Sequence, residues 1–517
     1  MTATSPSAQE TFTTVRGDRR SEVGRTLAEP VPQPLGLLDQ FGLWGNLGVS
    51  LLGFTGALFV LQPGGPGTPE LSLAAGLAAI VLGTLLGTLA VAISGLPGTR
   101  TGAPAMVLLR GLFGGGLSYL PTALNIAQLI GWSVFEIVTI ATAAHTVAPA
   151  LPKWCYVLIA GAATGALTIR PLGAIRVLRR YATTAVMAVM VYLLVQLARR
   201  PLPPLTHGTW SGFWAATDTV VAVAVSFAPL AADYMRHSRT EKAAFTGAMA
   251  GYSVTQVLCY VIGLLALVTV ARNPSDIYGA FIALPLGSLG FAILAARELD
   301  QSFADVYSTA VSMQNLRPLW DRRILAGAIA ALATAGALFL NIADYESFLT
   351  LLGSLFVPMF GVFAADFYVL RRGRWNLSAG APPRWLMLVP WAAGFVAYQL
   401  INPGNVSWWV TAWTSIRHLT GFTPASWMSA SICSFVLAAL VTLLGGGLGS
   451  AARRLGGSRH ARPAEAGATA GTGGGGGPAE TAGTAGGAGI IGDAADGEAA
   501  GTIRDVADGR DGRTAEA

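Results

Sequence analysis

The residues best suited to bind a ligand lie in the middle of apolar segments rather than in loops. In the third such segment, Trp132 and Glu136 are four residues apart, so they share one helix face and lie one turn apart. A flat aromatic ring beside a carboxylate suits a planar heterocycle that stacks on the ring and donates hydrogen bonds to the carboxylate. A packing tryptophan beside a glutamate paired with another helix is the alternative. A buried ionisable residue favours the functional interpretation, because burying a charge is costly.

The eighth apolar segment carries a polar stripe at helical spacing. Its side chains fall at i, i+3, i+4 and i+7 on one helical face, which should face a cavity or a neighbouring helix rather than lipid. Arg297 and Asp300, three residues apart, share a different face and are expected to neutralise each other. A charge-paired structural seam is the alternative interpretation of this segment. The stripe consists of Glu298, Gln301, Ser302 and Asp305.

Two further segments carry residues that can interrupt a helix. The first has five glycines between positions 42 and 56, with Asn46 and Ser50 among them, and the sixth contains Ser226-Phe-Ala-Pro229. Glycine and proline at membrane depth permit an unwound stretch whose backbone groups can bind an ion or a polar substrate. Segments one and six correspond if the first ten helices are two five-helix repeats. Close helix packing is the alternative role for each glycine.

The elements that position these residues are predicted from composition and hydropathy. Hydrophobic residues make up 53% of the 517 residues and charged residues only 12%, with a mean hydropathy of +0.55. Apolar runs long enough to cross a bilayer recur, so the sequence predicts an all-α integral membrane protein with twelve spans. The predicted spans are 41–61, 71–93, 117–144, 154–169, 181–197, 213–230, 243–270, 281–313, 324–342, 345–368, 385–401 and 427–444.

The distribution of basic residues predicts the orientation. Most loop arginines and lysines fall in the N-terminal segment, the even-numbered loops and the C-terminal segment, which places both termini in the cytoplasm. The net charge of +6 is explained by this rim facing lipid headgroups in the plasma membrane, so no nucleic-acid partner is expected. We predict a disordered N-terminus at 1–35, a transporter domain at 36–448 and a disordered Gly/Ala-rich tail at 449–517. The loops predicted to be external hold only Lys153, Arg199, Arg200, Arg272 and Arg417.

An enzyme or a metal site finds no support in the sequence. Cys155, Cys259 and Cys433 lie singly in separate apolar segments, with no Cys/His cluster of metal-ligand spacing. All five histidines fall in loops, at span ends or in the tail, so no nucleophile–base pair is predicted within a span. We therefore expect a transporter with no cofactor other than a coupling ion.

Several motifs resemble those of the purine–cytosine permeases, which belong to the nucleobase–cation symporter family. The resemblance covers roughly residues 36–444. The motifs are Gly131-Trp132-Ser133 with a polar residue at 136, Pro229-Leu-Ala-Ala-Asp233-Tyr234, Tyr307-Ser308 with Gln314, and Ala364-Ala-Asp366-Phe-Tyr-Val-Leu-Arg371-Arg372-Gly.

The resemblance implies a LeuT-type fold, with a five-plus-five inverted repeat and two additional helices. It also implies a planar substrate held between Trp132 and Phe227, with Glu136 and Asp305 at positions where the family places amides. A cation site is implied between spans one and eight. The substrate candidates are Trp132, Glu136, Phe227, Asp305, Ser50 and Gln128, and the cation-coupling candidates are Asp300, Gln301 and Asn46.

The two carboxylates at amide positions bear on the substrate. An ionised carboxylate only accepts hydrogen bonds, which favours rings rich in N–H donors such as cytosine, adenine or guanine. A protonated carboxyl would also donate, which keeps other rings open. The predicted function is cation-coupled import of a nucleobase-like heterocycle, and the alternative is a permease on the same scaffold for allantoin, hydantoins or an aminopyrimidine precursor of thiamine. The sequence leaves H⁺ or Na⁺ as the coupling ion, and the oligomeric state, open.

Overall fold

A computed structural model describes residues 13–15, 23–63, 68–170, 172, 183–271, 277–339 and 345–457. Long apolar runs form the helices, and side-chain caps fix several of their starts. Ser72 accepts a hydrogen bond from the Ala75 amide, and Thr240 accepts one from the Ala243 amide. The main helices are α1 (Leu37–Leu47), α2 (Leu51–Leu61), α3 (Leu73–Thr101), α4 (Ala105–Phe113), α5 (Tyr119–Val147), α6 (Lys153–Thr168), α7 (Thr183–Ala198), α8 (Phe213–Val225), α9 (Ala231–Met235), α10 (Glu241–Thr269), α11 (Ile277–Ile282), α12 (Gly287–Arg297), α13 (Leu299–Leu316), α14 (Arg322–Ala337), α15 (Tyr345–Ala364), α16 (Leu388–Ile401), α17 (Ser407–Thr420) and α18 (Ala430–Gly457).

Several of these helices can cross a membrane. Five helices in the described residues are long and apolar enough, and α1 and α2 form a further candidate as a pair bent by 60°. Three shorter apolar helices overlap the predicted spans five, eleven and twelve. The chain is therefore a multi-pass membrane protein, while the count of twelve spans stays a prediction. The five helices are Leu73–Thr101, Tyr119–Val147, Phe213–Met235, Glu241–Thr269 and Phe348–Leu370.

Spans one and six are interrupted where the glycines and the proline predicted it, but span eight differs from its prediction. The continuous helix expected over 281–313 is divided into α11, α12 and α13. Pro285 has no amide hydrogen, and Leu286 adopts a left-handed conformation with φ of 52°, so the chain turns before α12 begins. A second junction at Glu298 separates α12 from α13.

The helices pack as two groups, and the predicted repeat relates the members of each group to one another. The first group contains α1/α2, α3, α8/α9 and α10, and the second contains α5, α6, α13 and α14. Within the first group α1 packs on α10 and α3 packs on α8. If span one corresponds to span six and span two to span seven, these two contacts are exchanged by the repeat. A third set, α15, α16 and α18, packs together beside α8.

The N-terminal segment lies against both groups. The Gln33 amide donates to the Thr99 and Arg236 carbonyls at 3.2 and 3.0 Å, on the first group. The Gln314 amide of the second group donates to the Arg25 carbonyl at 2.6 Å. Residues 23–35 thus make defined contacts, although they belong to the segment predicted to be disordered. Hydrogen bonds to backbone carbonyls hold this segment in place, and a hydropathy pattern does not predict such bonds. Thr14–Val15 pairs in parallel with Val31–Pro32.

His237, directly after the sixth span, is part of the same contact. Its Nδ1 donates to the Pro32 carbonyl at 2.8 Å. Burial and the neighbouring Arg236 guanidinium lower the pKa of His237 to about 3, so the ring is neutral at physiological pH.

At the C-terminal end of the described chain, α18 continues to Gly457, past the predicted domain end at 448. Residues 458–517 of the predicted tail lie outside the described residues.

Two aspartates from the resemblance motifs hold loops. Asp233 accepts a hydrogen bond from the Ala105 amide at 2.8 Å, at the start of α4. Asp366 forms an ion pair of 2.6 Å with Arg384 and accepts a hydrogen bond from the Trp375 indole at 2.7 Å. These motif positions therefore stabilise the connections of spans six and ten.

Candidate functional site

The break between α1 and α2 exposes backbone groups that side chains of α13 satisfy. Gly48 follows the last residue of α1 and lies so close to α10 that a side chain there would collide with Thr255 and the Tyr252 carbonyl. Two carbonyls of the turn are left without helical partners. The Gln301 amide nitrogen donates to both, at 2.6 Å to Leu47 and 3.1 Å to Val49.

The amino end of α2 is held by a buried carboxylate. Ser50 caps the helix by accepting a hydrogen bond from the Leu52 amide at 3.1 Å. Glu298 accepts from the Ser50 hydroxyl at 2.8 Å and from the Leu51 amide at 3.2 Å. A negative group at a helix amino end is favourable, because the free amides carry partial positive charge.

Glu298 is also the partner of Arg297, which corrects the expected pairing. Arg297 Nη1 lies 3.1 Å from Glu298 Oε2, and both side chains are at most 1% exposed. The expected neutralisation of Arg297 by Asp300 assumed one continuous helix. The structure instead pairs the guanidinium with the carboxylate of the adjacent residue, at the junction between α12 and α13.

A small internal cavity lies between the two helix groups at this junction. Its free volume is about 20 Å³, room for one or two waters by the rule of roughly 10–15 Å³ per water centre. The cavity is therefore closed too tightly for an aromatic ring, and binding one requires the two groups to move. Six of the predicted site residues line it, namely Ser50, Trp132, Glu136, Phe227, Gln301 and Asp305.

The two predicted aromatic residues reach the cavity from different helix groups. Trp132 lies on α5, and its ring packs edge-on against Phe348 of α15 at 5.4 Å between centroids. Phe227 lies between α8 and α9 and packs edge-on against Tyr252 of α10, also at 5.4 Å. A ring that entered between the groups would contact both. Phe348 also lines a second pocket of about 400 Å³.

The two predicted carboxylates are buried in the same cavity wall. Glu136 is 4% exposed and Asp305 is 5% exposed. Glu136 Oε2 has no hydrogen-bond partner among the described residues. A buried carboxyl oxygen without a partner is costly, so this atom is available to a substrate donor or a proton.

Three predicted site residues do not line this cavity. Gln128 lies one turn before Trp132, and its amide donates to Asn125 Oδ1 at 2.8 Å. Asp300 precedes Gln301 by one residue and so points about 100° away around the helix. Asn46 lies on α1, where its backbone carbonyl accepts from the Val49 amide at 3.2 Å. These three positions were selected by residue type, but each lies on a part of its helix that does not line the cavity.

The sequence reasoning missed the central position of Glu298. It assigned Glu298 to the polar stripe but not to the site, because its partners come from segments far apart in sequence. The signal was its i, i+3 spacing to Gln301 and i, i+7 spacing to Asp305. Tyr252, Gln256 and Cys259 of α10 also line the cavity and had no polar pattern strong enough to be selected.

The comparison with known proteins decides the family. A family described as permeases for cytosine and purines, uracil, thiamine and allantoin matches residues 44–381, more than half of the chain. The chain belongs to this permease family. The predicted resemblance is thus confirmed, and the protein is a transporter rather than an enzyme.

Relatives of this permease agree with the family and the fold. A Bacillus subtilis (strain 168) protein assigned as purine–cytosine permease YxlA is 24% identical over 372 residues, covering 66% of this chain and 78% of the relative. The structure of Mhp1, a nucleobase–cation-symport-1 family transporter, in a closed conformation with bromovinylhydantoin bound, is similar with a TM-score of 0.62 and 18% identity, covering 85% of this chain and 96% of Mhp1. A Na⁺-coupled sialic acid symporter in a substrate-bound outward-open state has a TM-score of 0.52 and 10% identity, covering 80% and 90%. This permease therefore has the fold of these LeuT-type transporters.

Proposed function

We propose that this permease imports a nucleobase-like heterocycle, cytosine or a purine, across the plasma membrane by cation symport. The observation that supports the proposal is the convergence of Trp132, Phe227, Glu136 and Asp305 on one cavity between two helix groups. The basic residues in alternate loops favour an orientation with both termini in the cytoplasm.

The substrate ring stacks between Trp132 and Phe227 in this proposal, and its polar edge faces the carboxyls. Glu136 and Asp305 offer oxygen acceptors in a wall that is otherwise mostly apolar. An edge with an exocyclic amine and a ring N–H satisfies two such acceptors, whereas a carbonyl edge leaves them unpaired at a cost of about 1–3 kcal/mol each. Amino-bearing rings are therefore the expected substrates.

Transport follows from movement of one helix group against the other. The cavity is lined by both groups and is closed, so each opening exposes the same residues to one side of the membrane. A coupled cation drives accumulation when its binding favours the state that also binds substrate.

The test is uptake of labelled cytosine into cells that lack their own nucleobase permeases. We expect saturable uptake that adenine and guanine compete away and that uracil inhibits weakly. Trp132→Ala is expected to reduce uptake at least about fivefold, as loss of one stacking contact of about 1–3 kcal/mol implies. The matched control is Trp154→Ala, since Trp154 is 55% exposed at the start of α6.

The possible outcomes separate an error in the site from an error in the substrate. Full uptake with unchanged selectivity in both Trp132→Ala and Glu136→Gln, at wild-type protein levels, contradicts the site. Absence of cytosine uptake, with competition or uptake of allantoin, a hydantoin or the aminopyrimidine precursor of thiamine, replaces the proposed substrate with the alternative. The matched family description and the hydantoin bound to Mhp1 favour including these compounds.

A further inference from the structure

A large open pocket lies apart from the candidate site, where the end of α15, the start of α16 and the last part of α18 meet. Its free volume is about 1160 Å³, above the roughly 300–1,000 Å³ of an ordinary small-molecule site. Arginines of the connection between spans ten and eleven line it, and the distribution of basic residues predicts that this connection is cytoplasmic. In that orientation the pocket opens at the cytoplasmic surface of the membrane.

The pocket carries an excess of positive charge. Three arginines and one aspartate line it, which leaves a net charge of +2. Arg384 compensates the aspartate, because its Nη1 and Nη2 donate to the two carboxylate oxygens of Asp366 at 3.0 and 2.6 Å. Arg371 Nε lies 4.0 Å from the same carboxylate, too far for a hydrogen bond, and its side chain is half exposed. Arg371 and Arg372 therefore carry the positive charge that Asp366 leaves uncompensated.

The backbone that carries these two arginines has an uncommon conformation. After α15 the chain forms a wider π-helical turn, Ala365–Leu370, and the Arg371 amide donates to the Asp366 carbonyl at 2.7 Å. Arg372 then has a left-handed conformation with φ of 51°, which few residues other than glycine and asparagine adopt. Backbone of this kind persists only where the surrounding structure maintains it, and both features are frequent at functional sites.

Exposed apolar side chains form another part of the same wall. Leu386 is 77% exposed, and Val369, Trp385 and Val389 are each more than half exposed. Tryptophan is typical of the membrane–water interface, where its ring contacts both the headgroups and the chains of lipids. The pocket thus joins a cationic part to an apolar part, which matches the division of a phospholipid into headgroup and acyl chains.

We propose that this pocket binds an anionic phospholipid of the cytoplasmic leaflet, with its phosphate on Arg371 and Arg372 and its acyl chains on Leu386 and Val389. Arginine suits this ligand because its planar guanidinium forms paired hydrogen bonds with phosphate oxygens. Basic pockets between membrane helices on the cytoplasmic side bind anionic headgroups in this way. A free phosphate ion would use the arginines alone, whereas the exposed apolar side chains of the same pocket favour a ligand with chains.

A lipid in this pocket would strengthen the packing of the third set of helices. The pocket is lined by residues next to α15, α16 and α18, so one bound lipid contacts all three elements. Arg384 also connects the pocket to α4, because its Nη1 donates to the Gly111 carbonyl at 2.7 Å. A ligand that binds the folded chain and not the unfolded chain raises the thermal unfolding midpoint, so the anionic lipid is expected to do so.

The test measures lipid binding to the purified full chain by native mass spectrometry. Dioleoyl-phosphatidylglycerol is the probe, and dioleoyl-phosphatidylcholine, which has the same chains and no net charge, is the comparison. We expect the wild type to retain phosphatidylglycerol in preference to phosphatidylcholine. Arg371→Gln combined with Arg372→Asn is expected to weaken phosphatidylglycerol binding about twenty-fivefold, at about fivefold for each basic residue near an anionic surface. Asparagine is chosen at 372 because it tolerates the left-handed backbone.

Arg317→Gln is the matched control. Arg317 is exposed in another connection that is predicted to be cytoplasmic, and it does not line the pocket. We expect this variant to bind phosphatidylglycerol within about twofold of wild type, with the same rise in the unfolding midpoint. Should the double variant fold poorly, Arg371→Gln alone carries the test, with an expected loss of about fivefold.

Three outcomes overturn the proposal. They are equal retention of the two lipids by the wild type, unchanged phosphatidylglycerol binding in the double variant, and an equal loss in Arg317→Gln. Competition by inorganic phosphate or by glycerophosphoglycerol, the headgroup without chains, as effective as that by the intact lipid replaces the lipid site with a simple anion site. The measurement uses no substrate, so failure of cytosine uptake contradicts the proposed function and leaves the lipid site standing.

Discussion

The free backbone groups of the two interrupted spans are satisfied by different partners, although the predicted repeat makes spans one and six equivalent. The break in span one is bent by 60° and is satisfied by Glu298 and Gln301 of the other helix group. The break in span six is shorter, because a single 3₁₀ turn at Ala228–Leu230 follows Val225. Its free backbone groups find partners nearby. The Leu230 amide donates to the Phe227 carbonyl, and the Ser94 hydroxyl, which belongs to the same helix group, donates to the Ala228 carbonyl at 3.2 Å.

The two breaks therefore contribute different kinds of contact to the cavity. Span one is held by a buried carboxylate of the other helix group, so its energy depends on a charged contact. Span six presents Phe227, an aromatic surface without charge, so its energy changes with the ring that is bound. We infer that the first break serves coupling and the second serves recognition, and the following substitutions test that division.

The largest effect is expected at Glu298→Leu. The substitution removes the partner of a fully buried guanidinium and the carboxylate at the amino end of α2. Breaking a buried ion pair by removing one partner costs about 3–5 kcal/mol, so folded protein should fall sharply. Thermal unfolding followed by size-exclusion chromatography measures it, and a midpoint equal to that of wild type would show that Arg297 is compensated elsewhere.

An intermediate effect is expected at Phe227→Leu, on affinity alone. Leucine keeps apolar volume but removes the stacking face, which is worth about 1–3 kcal/mol per base, so the apparent KM for cytosine should rise about fivefold or more. The accumulation ratio at a fixed pH gradient should not change, because no titratable group is altered. Phe395→Leu on α16, a half-buried phenylalanine that packs on Trp413, is the matched control. A change in the accumulation ratio would argue against the division of roles.

The smallest effects are expected from two serines, one at each break. Ser50→Ala removes the α2 cap and a hydrogen bond to a carboxylate, so it should cost about 1–2 kcal/mol. Ser94→Ala removes a neutral hydroxyl bonded to the Ala228 and Val91 carbonyls, so it should cost about 0.5–1 kcal/mol. Thermal unfolding midpoints compare the pair, and equal shifts of the midpoint would contradict the asymmetry.

Most of the cavity was predictable from local patterns. Trp132 and Glu136 were identified by their spacing on one helix face, and Phe227 and Asp305 by their places in the resemblance motifs. The structure brings these four residues to one cavity together with Ser50 and Gln301. Gln128 was selected by type, but its amide belongs to a polar contact with Asn125 that joins it to Ser312 of α13.

The sequence by itself determined which segments are apolar helices and where spans one and six break, because hydropathy, glycine and proline act over a few neighbouring residues. The tertiary structure alone decided that Arg297 pairs with Glu298 rather than Asp300, and that Glu298 holds the amino end of α2. Ser50 and Glu298 are 248 residues apart in sequence. No local pattern reports a contact of that kind, because it depends on how two helix groups pack after each helix has formed.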